Sequence, residues 1–215
     1  MFLNRKRSTE HIGALGAAIA VAVAMGIAHD AECAIIYSGI MNVPVPVSSS
    51  GVYLNVETKQ YAGALTPLPV GWDVNISGTA LNSLNFWSGS QGTVYMRAPG
   101  DFSGADVGNL PHATLIGSGG SFSTSPTALF ASNVMGHWNY SDENVFGFRF
   151  ISGTGQIRYG WMRVQVGSDA SARAIVDWAY EDTGSSLISG AIPGPAAFSM
   201  LGLGGTLIGG RRRKG

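Results

Sequence analysis

Two histidines stand out as potential general bases, His112 in the segment NLPHAT and His137 in GHWNYSDEN. A hydrolytic triad would set one of them between a nucleophilic hydroxyl and an orienting carboxylate. Serine is plentiful, but no Gly-x-Ser-x-Gly elbow occurs and neither histidine sits in a nucleophile context. Each therefore reads as a loop or half-buried residue. Zinc fails on ligand supply: residues 35–190 hold two of the chain's four histidines and no His-Glu-x-x-His pattern, and the chain's single cysteine, Cys33, lies far upstream. Gly117-Ser118-Gly119-Gly120 lacks the Lys that completes a phosphate loop, so it reads as a flexible connection. The paired acids Asp142–Glu143 and Glu181–Asp182 are adjacent in sequence. Neighbours on a strand point to opposite faces, which unsuits them for joint acid–base work, and they read as solvated loop acids. Asp101 and Asp106 in GDFSGADVGN offer hard oxygen ligands of the kind calcium takes, without an EF-hand or nonapeptide repeat around them. The expectation is no catalytic residue, no metal and no cofactor.

Aromatic side chains leave a binding reading. Trp72, Trp87 and Trp138 sit beside Gly, Ser, Asn and Asp, as rings on sugar-stacking platforms do. The competing reading is that they fill a core. Asn75-Ile76-Ser77 and Asn139-Tyr140-Ser141 have the form of glycosylation sequons and carry little weight beside these rings.

The elements that would position these residues are strands. Between residues 35 and 190 no apolar pattern recurs at three and four; short β-branched and aromatic runs alternate with Gly, Ser, Asn and Pro clusters. Strands are expected at 35–38, 43–47, 52–56, 72–76, 84–87, 93–97, 114–116, 128–130, 145–151, 157–166 and 174–180. Pro44 and Pro46 confine the second of these to a sheet edge or a polyproline-like run. Many short, evenly spaced strands imply an all-β fold, a single antiparallel β-sandwich or jelly-roll-like domain over residues 35–190. The last three strands should form one antiparallel meander, joined at residues 152–156 by a Gly-rich turn. Period-two alternation puts Phe146, Phe148 and Phe150 on one face of the first strand. In the second it separates Tyr159, Trp161 and Arg163 from Met162, Val164 and Val166. In the third it groups Ala174, Val176, Trp178 and Tyr180. Phe146, Phe148, Phe150, Trp161 and Trp178 should be buried.

Charge separates this body from two flanks. Thirteen basic and thirteen acidic residues cancel overall, yet residues 35–190 carry six basic and ten acidic side chains. A mildly acidic body poor in Lys and Arg excludes nucleic-acid binding, and one cysteine excludes an intramolecular disulfide. Residues 1–34 read as a secretory signal peptide: Arg5-Lys6-Arg7, an uncharged apolar run over residues 12–27, then small residues that permit cleavage after Ala28, Cys33 or Ala34. A permanent anchor would need about 20 apolar residues, more than this run supplies. Residues 191–215 form a tail: Pro193-Gly194-Pro195, an apolar run over residues 196–210 with Gly205 and Gly209, then Arg211, Arg212, Arg213 and Lys214. As a helix that run would extend about 22 Å, and the basic cluster behind it suits a cytoplasmic end.

This tail resembles the PEP-CTERM sorting signal, in which a Pro-Glu-Pro motif, a short Gly/Leu/Ala-rich transmembrane helix and a terminal Arg cluster follow one another. Pro193, Pro195 and Arg211 to Lys214 match the pattern, and Gly194 stands where the motif has Glu. The runs FGFRF, YGWMRV and VDWAYEDTG are also similar to the end of some PEP-CTERM ectodomains. The resemblance implies transient insertion in the inner membrane, cleavage near Pro193–Pro195 by an exosortase-type enzyme, and release to the cell surface or an exopolysaccharide matrix. The function expected is that of an exported, non-enzymatic surface or matrix protein. The alternatives are a carbohydrate-binding module of such a matrix and a secreted hydrolase.

Overall fold

The computed structural model describes residues 34–63, 66–89, 92–97, 106–124, 126–131, 134 and 136–193. Among them there is no helix, and every paired strand is antiparallel to its neighbours. Residues 1–33 of the segment expected to be a signal peptide, both apolar runs, Gly194 to Lys214 and Asp101 lie outside the described residues.

The long hairpin at the heart of the fold is β11 (Asp142–Ile151) and β12 (Ile157–Val166). They pair in unbroken register from Asp142↔Val166 to Ile151↔Ile157. The turn closes as expected: Ser152 N–H donates to the Gln156 carbonyl at 2.8 Å, and Gly155 N–H to that of Ser152 at 2.8 Å. β13 (Arg173–Glu181) completes the meander on the other side of β12. Outside it β1 (Ile35–Tyr37) and β2 (Val43–Pro44) both pair with β13. On the far side follow β7 (Val94–Met96) and β9 (Phe122–Ser123), giving a seven-stranded sheet ordered β1-β13-β12-β11-β7-β9. The prolines hold β2 to two residues at the edge, as their missing donors require.

A second sheet runs β10-β6-β5-β3-β4. It comprises β3 (Ser48–Leu54), β4 (Tyr61–Gly63), β5 (Val74–Gly78), β6 (Ser83–Ser88) and β10 (Thr127–Leu129). Its inward residues Val52, Leu54, Val74, Ile76, Leu84, Phe86 and Ala128 join Phe146, Phe148, Phe150, Met162, Val164, Val166, Ile175 and Trp178 of the first sheet in one core. Two sheets sharing one core make this a β-sandwich. Phe146, Phe148, Phe150, Trp161 and Trp178 are all buried, as the alternation predicts. Burying each of these rings contributes roughly 1.5–3 kcal/mol.

Gly51 marks where the β3–β5 register slips between Ser48 and Val52. It sits at φ +60°, and a Cβ there would lie 1.9 Å from the Ile76 carbonyl oxygen. Only glycine meets both demands.

Two departures from the expected pattern have local causes. The β12–β13 register shifts between Arg163 and Val164: Arg163 faces Asp177 and Val164 faces Ile175, leaving Val176 as the extra residue of a bulge. The Val176 carbonyl instead accepts from Met41 N–H (2.8 Å) and Asn42 N–H (3.2 Å). Ile175 therefore joins Trp178 and Tyr180 in the core in place of Ala174 and Val176. The other departure is that both faces of the meander are covered. β8 (Leu115–Ile116) and β14 (Leu187–Ile188) pair with one another, and Ile116 and Leu187 pack with Leu110, Tyr159 and Trp161 in a second cluster. Trp161 belongs to this outer cluster, away from the three phenylalanines.

One cation is buried between the layers. Arg173, 6% exposed, opens β13 and donates to the carbonyls of Val45 (3.3 Å), Pro46 (3.0 Å) and Gly78. Burial lowers its pKa. The contact ties the start of β13 to the end of β5 across the sandwich.

Candidate functional site

The outer face of the seven-stranded sheet carries the densest polar constellation of the described residues. The ladder aligns Val145, Arg163 and Asp177 across β11, β12 and β13. Tyr37 of β1 reaches the same place one step along. Asp177 has no exposed surface. It accepts from Arg163 Nε at 2.9 Å, from Arg163 Nη2, and from Tyr37 Oη at 2.7 Å. Arg163 Nη1 turns the other way and meets Glu143 Oε2 at 2.9 Å. The Asp177 hydrogen bond raises the Arg163 pKa. Burial, then the bond to Asp177, pushes the Tyr37 phenol up to about 12.

Over this cluster lies a groove of about 350 Å³. Its remaining lining comes from Val145, Trp161, His112 and the segment Gly190 to Ile192 that follows β14. Trp161 Nε1 donates to the Ala191 carbonyl at 2.9 Å, which fastens that segment to the sheet. Chemically the groove is quiet. The arginine's charge is met by two carboxylates and the tyrosine's proton is committed to one of them, so the cluster positions strands. Among the described residues no three His, Cys, Asp or Glu side chains are grouped to hold a metal ion. His137 lines a different groove, beside Asn109, Pro111 and Asn139.

The paired acids are each engaged with the scaffold. Asp142 Oδ1 accepts from Glu143 N–H at 2.8 Å, and Asp182 Oδ1 from Ala34 N–H at 3.1 Å. Glu181 departs from the solvated loop position expected of it: it is fully buried at the end of β13 and accepts from the Thr183 N–H and hydroxyl. Asp106 is 8% exposed and bridges to Thr127. No family model, curated protein or solved structure matches the chain. What the surface can do is therefore a question for its own geometry.

The three tryptophans proposed as a platform separate. Trp138 has no exposed surface, packs against Phe86, Phe130 and Phe146, and donates its indole N–H to the Val107 carbonyl at 3.0 Å. It is a core residue and offers no face to a sugar. Trp87 is 50% exposed on β6. Trp72 is half-buried, its ring nearly perpendicular to that of Tyr53 with centroids 4.9 Å apart. Trp72 and Trp87 thus stand at the five-stranded sheet, with Tyr53, which the sequence reading passed over. Pro193, the first proline of the tail motif, is exposed two residues beyond the Trp161–Ala191 fastening. Of the sequons, Asn75 is 2% exposed and its amide donates to the Ser50 (2.8 Å) and Val52 (2.9 Å) carbonyls, so it is a structural residue.

Proposed function

We propose that this is an exported, non-enzymatic protein of the cell surface or extracellular matrix, delivered by its N-terminal segment and processed through its C-terminal one. The observation that carries the reading is where the strands begin and end. Among the described residues they run from Ile35 to Ile188, and the two core clusters are filled by residues between those limits. The apolar runs at residues 12–27 and 196–210 fall outside that span, which suits segments made to engage a membrane. Ala191 is fastened to the sheet by Trp161, and Pro193 is exposed immediately after it. A firmly seated body followed by an exposed Pro193 is what a processing enzyme at the membrane requires.

Intact-mass measurement of the mature protein tests both cleavages at once. The expected species begins after Ala28, Cys33 or Ala34 and ends near Pro193–Pro195. Replacing Arg211, Arg212 and Arg213 with Ser should leave the body unprocessed or misrouted. Release of the same product from wild type and triple variant would replace sorting with a plain anchor.

A further inference from the structure

We propose that the outer face of the five-stranded sheet binds a neutral polysaccharide, with Trp87 and Tyr53 as its two stacking rings. The proposal concerns what the body holds, and stands or falls separately from how its tail is processed. Side chains alternate along a strand. Because Val52, Leu54, Val74, Ile76, Leu84, Phe86 and Ala128 fill the core, their neighbours face outward. Register then sets two rows across the sheet. Tyr53, Asn75 and Trp87 form one; Ser77, Asn85 and Thr127 form the next.

The chemistry of those rows is unusual for the outer side of a sheet. None of the residues in β3, β4, β5, β6 or β10 is charged. The seven-stranded sheet, by contrast, carries Asp142, Glu143, Arg149, Arg158, Arg163 and Asp177 among others. Exposed faces ordinarily draw on charge for solubility. A face that uses hydroxyls, amides and aromatic rings gives no hold to an ionic partner, and it complements a ligand made of hydroxyls and apolar ring faces.

The rings are already placed. Trp87 is half-exposed yet fixed, its Nε1 donating to Ser77 Oγ at 3.2 Å while its carbonyl accepts from Tyr95 Oη at 2.7 Å. Tyr53 is braced by Trp72, whose ring plane lies at 81° to its own. Immobilised rings cost little further ordering when a ligand arrives. Tyr53 and Trp87 lie two strands apart, about 10 Å at the usual strand spacing, which is the length of a disaccharide unit in an extended glycan. Asn75 between them and Ser77 in the adjoining row are buried, so the groups open to a ligand are Tyr53, Trp87, Asn85 and Thr127. Asn85 is exposed in the adjoining row and accepts from Thr127 Oγ1 at 3.5 Å, so its NH₂ group can meet a sugar hydroxyl.

The test is affinity electrophoresis of the full-length protein in detergent micelles. Hydroxyethylcellulose and a β-1,3-glucan serve as neutral probes and polygalacturonate as the anionic one. Wild type should be retarded by at least one neutral polymer and equally at low and high salt, because no ion pair is involved. Trp87→Ala should weaken that binding by about tenfold or more and Tyr53→Ala by severalfold, with Trp87→Phe retaining most of it. Unfolding midpoints of the Trp87 variants, whose side chain is half in solvent, should stay near wild type. Three results would overturn the proposal: no retardation by either neutral polymer, undiminished binding by folded Trp87→Ala, or preference for polygalacturonate. Concentration-dependent self-association that Trp87→Ala abolishes, without glycan binding, would reassign the face to contact between copies of this chain.

Discussion

Gly160 lies directly across from Phe148 in the β11–β12 ladder, and the phenyl ring occupies the space a side chain would need. A Cβ on Gly160 would fall 2.5 Å from Phe148 Cζ and 2.8 Å from the Ala179 carbonyl oxygen. Gly160→Ala is expected to destabilise by about 1–3 kcal/mol through overpacking. Phe148→Ala should cost about 3–5 kcal/mol through the cavity it leaves. In the double variant the cavity accepts the new methyl group, so the losses should sum to less than the two singles. Urea unfolding of the four proteins checks this, and strict additivity would separate the two positions.

Asp73 ends the segment leading into β5 and is 2% exposed. Burial is the main cause that pushes its carboxyl up to about 7, with Glu57 adding to it, against the Val56 N–H bond to Oδ2 (2.8 Å) that favours the ionised form. A folded pKa above the unfolded one means the folded state holds the proton longer. Stability from this group is present below the unfolded carboxylate range and is lost as pH rises toward 7. The loss is on the order of 2–4 kcal/mol by pH 8. Asp73→Asn keeps an acceptor for Val56 and cannot ionise. It should match wild type near pH 4 and exceed it at pH 8, read as unfolding free energy against pH.

Arg163 is the partner that makes a buried Asp177 tolerable. Arg163→Met leaves that carboxylate in the sheet with only Tyr37 against it, and should cost about 3–5 kcal/mol at neutral pH. Glu143 is 45% exposed on its side chain, so Glu143→Gln should cost no more than about 1 kcal/mol. Thermal unfolding of the two variants at pH 7 gives the comparison; equal losses would mean the buried half of the cluster carries no special weight.

The meander was legible because its signal is local. Phe146, Phe148 and Phe150 alternate within one strand, and the glycines of the turn sit where the hairpin needs them. The outward position of Trp87 follows from the same alternation, since Leu84 and Phe86 precede it. Trp138 was not legible, because its flanks are polar and its burial depends on Phe130, brought beside it by a parallel bridge that no local pattern announces. Asp177 and Tyr37 lie 140 positions apart, so their pairing needs the β1–β13 contact to be known first. Ile175 was misplaced by one bulge residue, which inverts the parity of everything N-terminal to it. β4, β9 and β14 hold two or three residues each, too few for any period to show.

The order of bonds after β13 has a mechanical consequence. Tension applied to the chain beyond Pro193 meets first the single Trp161–Ala191 hydrogen bond, then the Ser189–Thr114 contact and the two-residue β14–β8 pair. Only when these have let go does the pull reach β13, in the interior of the large sheet. Unzipping residues 182–191 frees a contour of at most roughly 33–36 Å, drawing Leu187 out of the outer cluster while the core between the two sheets stays intact. A body tethered by that end would yield like a fuse, giving length before it gives up its shape.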